Sequence, residues 1–258
     1  MSYVERHKMS PFTRIASWTF AILFTVAWLY AAAQQARGAD APAPSAAPAA
    51  PVVIPEPKQA GGEADGVVRV GNLIYAGTKT SKCFADHFLA QAERDSTIST
   101  TRKLHAVKLA DEELFEFPLV IMTGEGSFEL LDSERQNLRK FVEGGGLLLA
   151  SAGCSSAEWD RSFRQEMARV FADHPLEALT LAHPVFHTVY DIKEIKLSHA
   201  GRPRPIEAVN INNRLGVIYS IDGLNDTAHS QGCCCCGGNE ISNCIQVNVN
   251  ILAYALLY

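Results

Sequence analysis

Residues 117–171 read FPLVIMTGEGSFELLDSERQNLRKFVEGGGLLLASAGCSSAEWDRSFRQEMARVF, and their reading decides the fold. Phe117 to Met122 and Leu147 to Ala150 are short apolar runs closed by glycine-containing turns, as expected of parallel strands buried on both faces. Between them, Ser133 and Gln136 make a capping-box pattern, so a helix is predicted from near Asp132 until Gly144–Gly146 end it. Its apolar stripe is Leu138, Phe141 and Val142. Ser155 and Glu158 repeat the capping pattern ahead of a second helix. There Trp159, Phe163, Met167, Val170 and Phe171 share one face, which reads as core packing.

The same alternation precedes this unit. Val67–Tyr75 reads as a strand, residues 82–94 as a helix and residues 104–109 as a strand. Beyond Phe171, residues 206–211 and 215–220 read as a strand pair turning at Asn212-Asn213. Ile241, Ile245, Val249, Leu252 and Leu256 then give a terminal helical stripe. Strands alternating with helices predict an α/β fold with a mostly parallel sheet and helices on both faces.

The first sixty residues are of another kind. Arg6, Lys8 and Arg14 precede Ile15–Ala33, an uncharged apolar stretch close to the ~20 residues a spanning helix needs. Residues 1–38 are therefore read as an export signal or a retained membrane anchor, with the remainder outside the cytoplasm. Small residues place possible cleavage after Ala33 or Gly38. Residues 39–64 are an Ala/Pro-rich linker too poor in large apolar side chains to offset their ordering entropy. Residues 65–258 make one domain large enough for a full core. The chain's net charge is −5, and the first 39 residues hold four Lys/Arg against one Glu, which leaves −8 on the rest. An acidic domain without basic runs argues against nucleic acid and anionic lipid surfaces as partners of that domain.

LFEFPLVIMTGEGSFELLDSERQNLRKFVEGGGLLLASAGC, then WDRSFRQEMARVF, HPVFHTVYDI and RLGVIYS, resemble the bacterial family called domain of unknown function 4159. The resemblance runs from about Val68 to the end. It implies a fold similar to the class I glutamine amidotransferase-like superfamily, a flavodoxin-like three-layer architecture, and an exported or membrane-tethered protein. It carries no established activity. The family usually shows Thr-Gly-His-Gly where this chain has Thr123-Gly124-Glu125-Gly126. It also usually has acidic residues where this chain has Ser151-Ala152-Gly153 before the cysteine.

Cys154 follows a strand and precedes a capped helix, the setting of a nucleophile elbow, where the helix N-terminus favours thiolate. A cysteine nucleophile also needs a histidine base and an acid to orient it. Glutamine amidotransferases usually carry a His-Pro-Glu run far downstream, whereas this chain has His183-Pro184-Val185. A buried or merely tolerated cysteine is the competing reading. Glu125 and Ser155 stand beside Cys154 at the expected strand ends, where open α/β sheets bind ligands. Arg164 is read either as a clamp for an anionic ligand there or as one member of solvated ion pairs.

His183 and His187 sit at i, i+4 and would bind one metal if the segment were a helical turn, with Asp191 or Cys154 as third ligand. Otherwise they belong to a surface turn. Cys233–Cys236, four consecutive cysteines, would form disulfides in an oxidising compartment, with Cys244 or Cys83 as partners. As a metal site the run would use Cys233 and Cys236 among its ligands. Seven cysteines leave at least one thiol unpaired in a monomer. No cofactor is specified by any of these patterns. The leading expectation is a non-catalytic envelope domain that binds an unknown envelope protein or small ligand, attached to the membrane through residues 15–33 if these are retained. The alternatives are a Cys154-dependent hydrolase or amidotransferase-like enzyme and a metal-binding or redox protein.

Overall fold

The structure, a computed structural model, describes residues 66–230 and 238–258. The predicted signal or anchor, the linker and Cys233–Cys236 lie outside these. Among the described residues no helix is long and apolar enough to cross a membrane.

The described strands are β1 (Val67–Tyr75), β2 (Lys79–Thr80), β3 (Ser99–Lys108), β4 (Leu119–Gly124), β5 (Leu147–Ala152), β6 (Glu177–Ala178), β7 (Glu207–Ile211) and β8 (Arg214–Ser220). The helices are α1 (His87–Asp95), α2 (Asp132–Glu143), α3 (Ala157–Val170) and α4 (Cys244–Leu257). β3, β1, β4, β5 and β8 run parallel in that order. β7 and then β6 close one side antiparallel, and β2 folds back on the end of β1. This is the α/β, mostly parallel sheet that the apolar runs predicted.

Burial on both sides explains why β4 and β5 are apolar without alternation. Val70, Leu119, Ile121, Leu147 and Leu149 pack into one core with Phe88 and Leu89 of α1 and Val247, Ile251 and Leu252 of α4. Leu73, Val120, Met122, Leu148 and Ala150 face the other core, with Leu138 and Phe141 of α2 and Trp159, Phe163 and Met167 of α3. The aromatic stripe of α3 is core, as its spacing implied.

Several boundaries differ from the sequence expectations, each for a local reason. The helix expected from residue 82 begins at His87, because Cys83 takes a left-handed conformation (φ +58°). β3 starts earlier than residue 104 and tolerates an irregularity where Arg102 has φ +56°. The α2 cap is supplied by Glu134, which accepts from the Leu131 N–H at 2.8 Å, rather than by Ser133 and Gln136. At α3 the cap is Ser156, whose hydroxyl accepts from the Trp159 N–H at 3.3 Å, one residue beyond the expected Ser155. Asn212 and Asn213, at φ +54° and +62°, form the two-residue turn between β7 and β8. Positive φ at both positions is what the right-handed twist of a tight hairpin requires.

α4 is not a one-sided amphipathic helix, since every residue from Val247 to Ala255 is buried. Its asparagines bond the chain that covers it, although Asn248 Oδ1 is buried without a partner among the described residues. Asn250 Oδ1 accepts from the Val189 and Tyr190 N–H groups, and Asn248 donates to the Leu224 carbonyl at 2.8 Å.

Tyr75, buried at the end of β1, donates to the Thr123 carbonyl and accepts from Trp159 Nε1, both at 2.9 Å. Burial pushes its hydroxyl up from 10.0 to about 12, partly countered by the Trp159 bond. An acid whose folded value is raised contributes stability below its unfolded value and loses it as pH climbs toward the folded one. Native stability is therefore expected to fall as pH rises from 10.0 toward about 12. The gap in urea midpoint between the wild type and Tyr75→Phe should narrow over that window. A constant gap would show that Tyr75 does not contribute to the slope.

Candidate functional site

The loops that follow β1, β4, β5 and β8 meet at the carboxyl edge of the parallel sheet. Ala85 donates to the Asn225 carbonyl at 2.9 Å, joining the β1 and β8 sides. Ser151 Oγ lies 2.6 Å from Asn225 Oδ1 and accepts from the Leu224 N–H at 2.9 Å, joining β5 to the same turn.

At the end of β5 the chain makes a tight turn through Gly153–Ser155 before α3. Cys154 and Ser155 both hold left-handed backbone angles, at φ +50° and +52°. For residues with a Cβ this costs roughly 1–2 kcal/mol each, so the surrounding packing must hold it. That packing is visible. A Cβ at Gly238 would lie 2.3 Å from the carbonyl carbon of Cys154, so only glycine lets the strap at residues 238–240 press so close. Ser155 Oγ donates to the Asn239 carbonyl at 3.2 Å, and the same carbonyl accepts from the Gly223 N–H at 2.9 Å.

The half-buried Cys154 thiol donates to Glu125 Oε1 at 3.1 Å. Glu125, Cys154 and Ser155 are thus brought together as their positions at the strand ends suggested. Arg164 is turned elsewhere. Its guanidinium forms a bidentate pair with Glu207 at 3.0 and 2.5 Å, contacts Asp160 at 2.8 Å and lies over the Tyr219 ring. The Glu207 bonds, reinforced by its charge, hold the arginine's proton more firmly than usual. This is an ion-pair brace between α3 and β7, not an open anion clamp.

His183 and His187 do not approach Cys154. His183 caps a single 3-10 turn, Pro184–Phe186, its Nδ1 accepting from Val185 N–H at 3.2 Å. Its ring lies against Tyr254, whose hydroxyl accepts from the Leu215 N–H at the opposite, amino end of β8. Burial holds the His183 imidazole below its usual value. His187 is held by Asp191 and the Leu181 carbonyl, both at 2.7 Å. A 3-10 turn does not stack i and i+4 side chains as an α-helix does, and the two rings have separate partners.

Cys83 is disulfide-bonded, while Cys244 is a buried thiol that burial raises to about 12. The expected pairing of the cysteine run with Cys244 is therefore not formed.

A further group stands at the same edge. His87, first residue of α1, and His229 have ring centroids 4.3 Å apart, and His229 Nδ1 lies 2.8 Å from Asp226 Oδ1. Sequence reading missed this group, because His87 lies far from Asp226 in the chain and only the short Asp-x-x-His spacing was legible. Two open surface depressions lie away from it, one beside Tyr190–Lys196 and one between Ser127–Glu129 and α3. Neither is lined by Glu125 or Cys154.

No curated protein matches the chain. A family model does, over residues 72–256, which takes in every strand and helix described except the start of β1 and the last residue of α4. The chain belongs to the family described as domain of unknown function (DUF4159).

Proposed function

We propose that this is an exported or membrane-tethered cell-envelope domain that binds a protein partner or small ligand along the carboxyl edge of its sheet, without using Cys154 as a nucleophile. One observation carries the reading: the Cys154 thiol meets the carboxylate of Glu125 at 3.1 Å, while the HPVFH histidines are engaged elsewhere. A cysteine nucleophile needs a positioned imidazole or equivalent base, itself held by a third group. The separate cores on the two sheet faces support a three-layer, glutamine amidotransferase-like arrangement. Export is supported by the basic start and apolar stretch of residues 1–38, and by the disulfide at Cys83, a bond of oxidising compartments.

The test is native mass spectrometry on the full chain isolated from membranes. A bound species is expected on the wild type and on Cys154→Ser, and is expected to be lost from Glu125→Lys. A covalent adduct on Cys154, or a bound species that accumulates only in Cys154→Ser, would instead establish a thiol-dependent enzyme.

A further inference from the structure

We propose that His87, Asp226 and His229 form a binding site for a divalent first-row transition metal, with zinc the ion that the donor set fits. The ligand atoms of the three residues all lie within 4.8 Å of one another. Two imidazoles and one carboxylate are the donors of three-ligand zinc sites that keep a fourth position open. Calcium and magnesium prefer all-oxygen sites, which this is not.

The second observation is independent of the clustering. Asp226 is 7% exposed, and its Oδ2 is buried without any hydrogen-bond partner. Oδ1 is taken by His229, so Oδ2 is left facing no donor. A buried carboxylate oxygen without a donor is destabilising, and a cation removes that cost directly. The neighbouring Glu240 carboxylate does not help. Both its oxygens are bound by Thr227, at 2.7 and 2.8 Å, and it adds a second negative charge beside the turn.

The placement also gives an entry path. Asp226 forms the floor, while His87 and His229 are exposed at the mouth. A bound ion would replace the present 2.8 Å hydrogen bond between His229 Nδ1 and Asp226 Oδ1. His87 comes from the start of α1 and the other two from the turn after β8, so a bound ion would clamp the two ends of the site together. Metal binding at this site is independent of partner binding at Glu125 and of the role of Cys154.

The experiment uses the full chain, stripped with chelator and titrated first with cobalt(II), then with zinc. About one cobalt per chain is expected, giving visible ligand-field bands without thiolate-to-cobalt charge transfer, and displaced by zinc. His87→Gln and His229→Gln should each weaken zinc binding by more than ~10-fold, the lower end of what outer-shell changes alone cost. His183→Gln should leave it unchanged. Zinc should raise the melting temperature of the wild type above that of its own metal-free form, and should not raise that of either variant above its own metal-free form. Unaltered zinc affinity in both variants would overturn the site. So would no zinc binding, or charge-transfer bands placing the ion on thiolates such as the Cys233–Cys236 run.

Discussion

Glu134→Ala is expected to lower the free energy of unfolding by about 3 kcal/mol, the loss of a buried charged acceptor with several donors. Glu134 is 2% exposed and lies at the start of α2. Its carboxylate accepts from Leu131 N–H at 2.8 Å, and from Ala76 and Gly77 N–H, both at 3.0 Å. Ala76 and Gly77 have φ of +49° and +77°, so their successive N–H groups form a small anion-binding concavity after β1. One side chain thereby caps a helix and fixes a strained turn. Alanine leaves these donors without a partner, whereas Glu134→Gln keeps one acceptor oxygen and should lose about half as much. Urea unfolding monitored by circular dichroism measures both. A loss below about 0.5 kcal/mol for the alanine variant, the usual range of surface changes, would mean that water replaces the carboxylate.

Trp159→Ala should cost about 4 kcal/mol, within the range for emptying a large aromatic site. The ring is fully buried, stacks on Phe163 at 5.1 Å and touches Phe128 and Tyr219. It also donates to Tyr75 at 2.9 Å, so alanine removes a donor as well as volume. The effect reaches the site, because Trp159 packs behind Gly124: a Cβ there would lie 2.8 Å from Trp159 Nε1. Emptying this space loosens the turn that presents Glu125 to Cys154. Native alkylation of Cys154 should therefore speed up along with the loss of stability. A loss of stability with unchanged alkylation would show that the Glu125 turn is held independently of this ring.

Much of this could be read along the chain. Apolar runs with glycine turns identify β4 and β5, since only strands covered on both faces are apolar at every position. The aromatic period in α3 and the Asn212-Asn213 hairpin were equally legible, because each depends on neighbours within a few residues, whereas the terminal helix was legible as a helix but not as one buried on all sides. The helix caps were harder. Glu134 outcompetes the Ser133–Gln136 pattern because it also reaches Ala76 and Gly77, a contact across 58 and 57 positions.

At the site the division is sharper. The order of elements by itself determined that Glu125, Cys154 and Ser155 stand at strand ends on one edge, since parallel strands carry their following loops to the same side. It determined the fold class for the same reason. Only the tertiary structure decided which side chains face one another there. It spends Arg164 on Glu207, sends His183 and His187 to other partners, and gathers His87, Asp226 and His229 from opposite ends of the domain. Such pairings depend on side-chain direction and burial across the sheet, and no local period in the sequence encodes them.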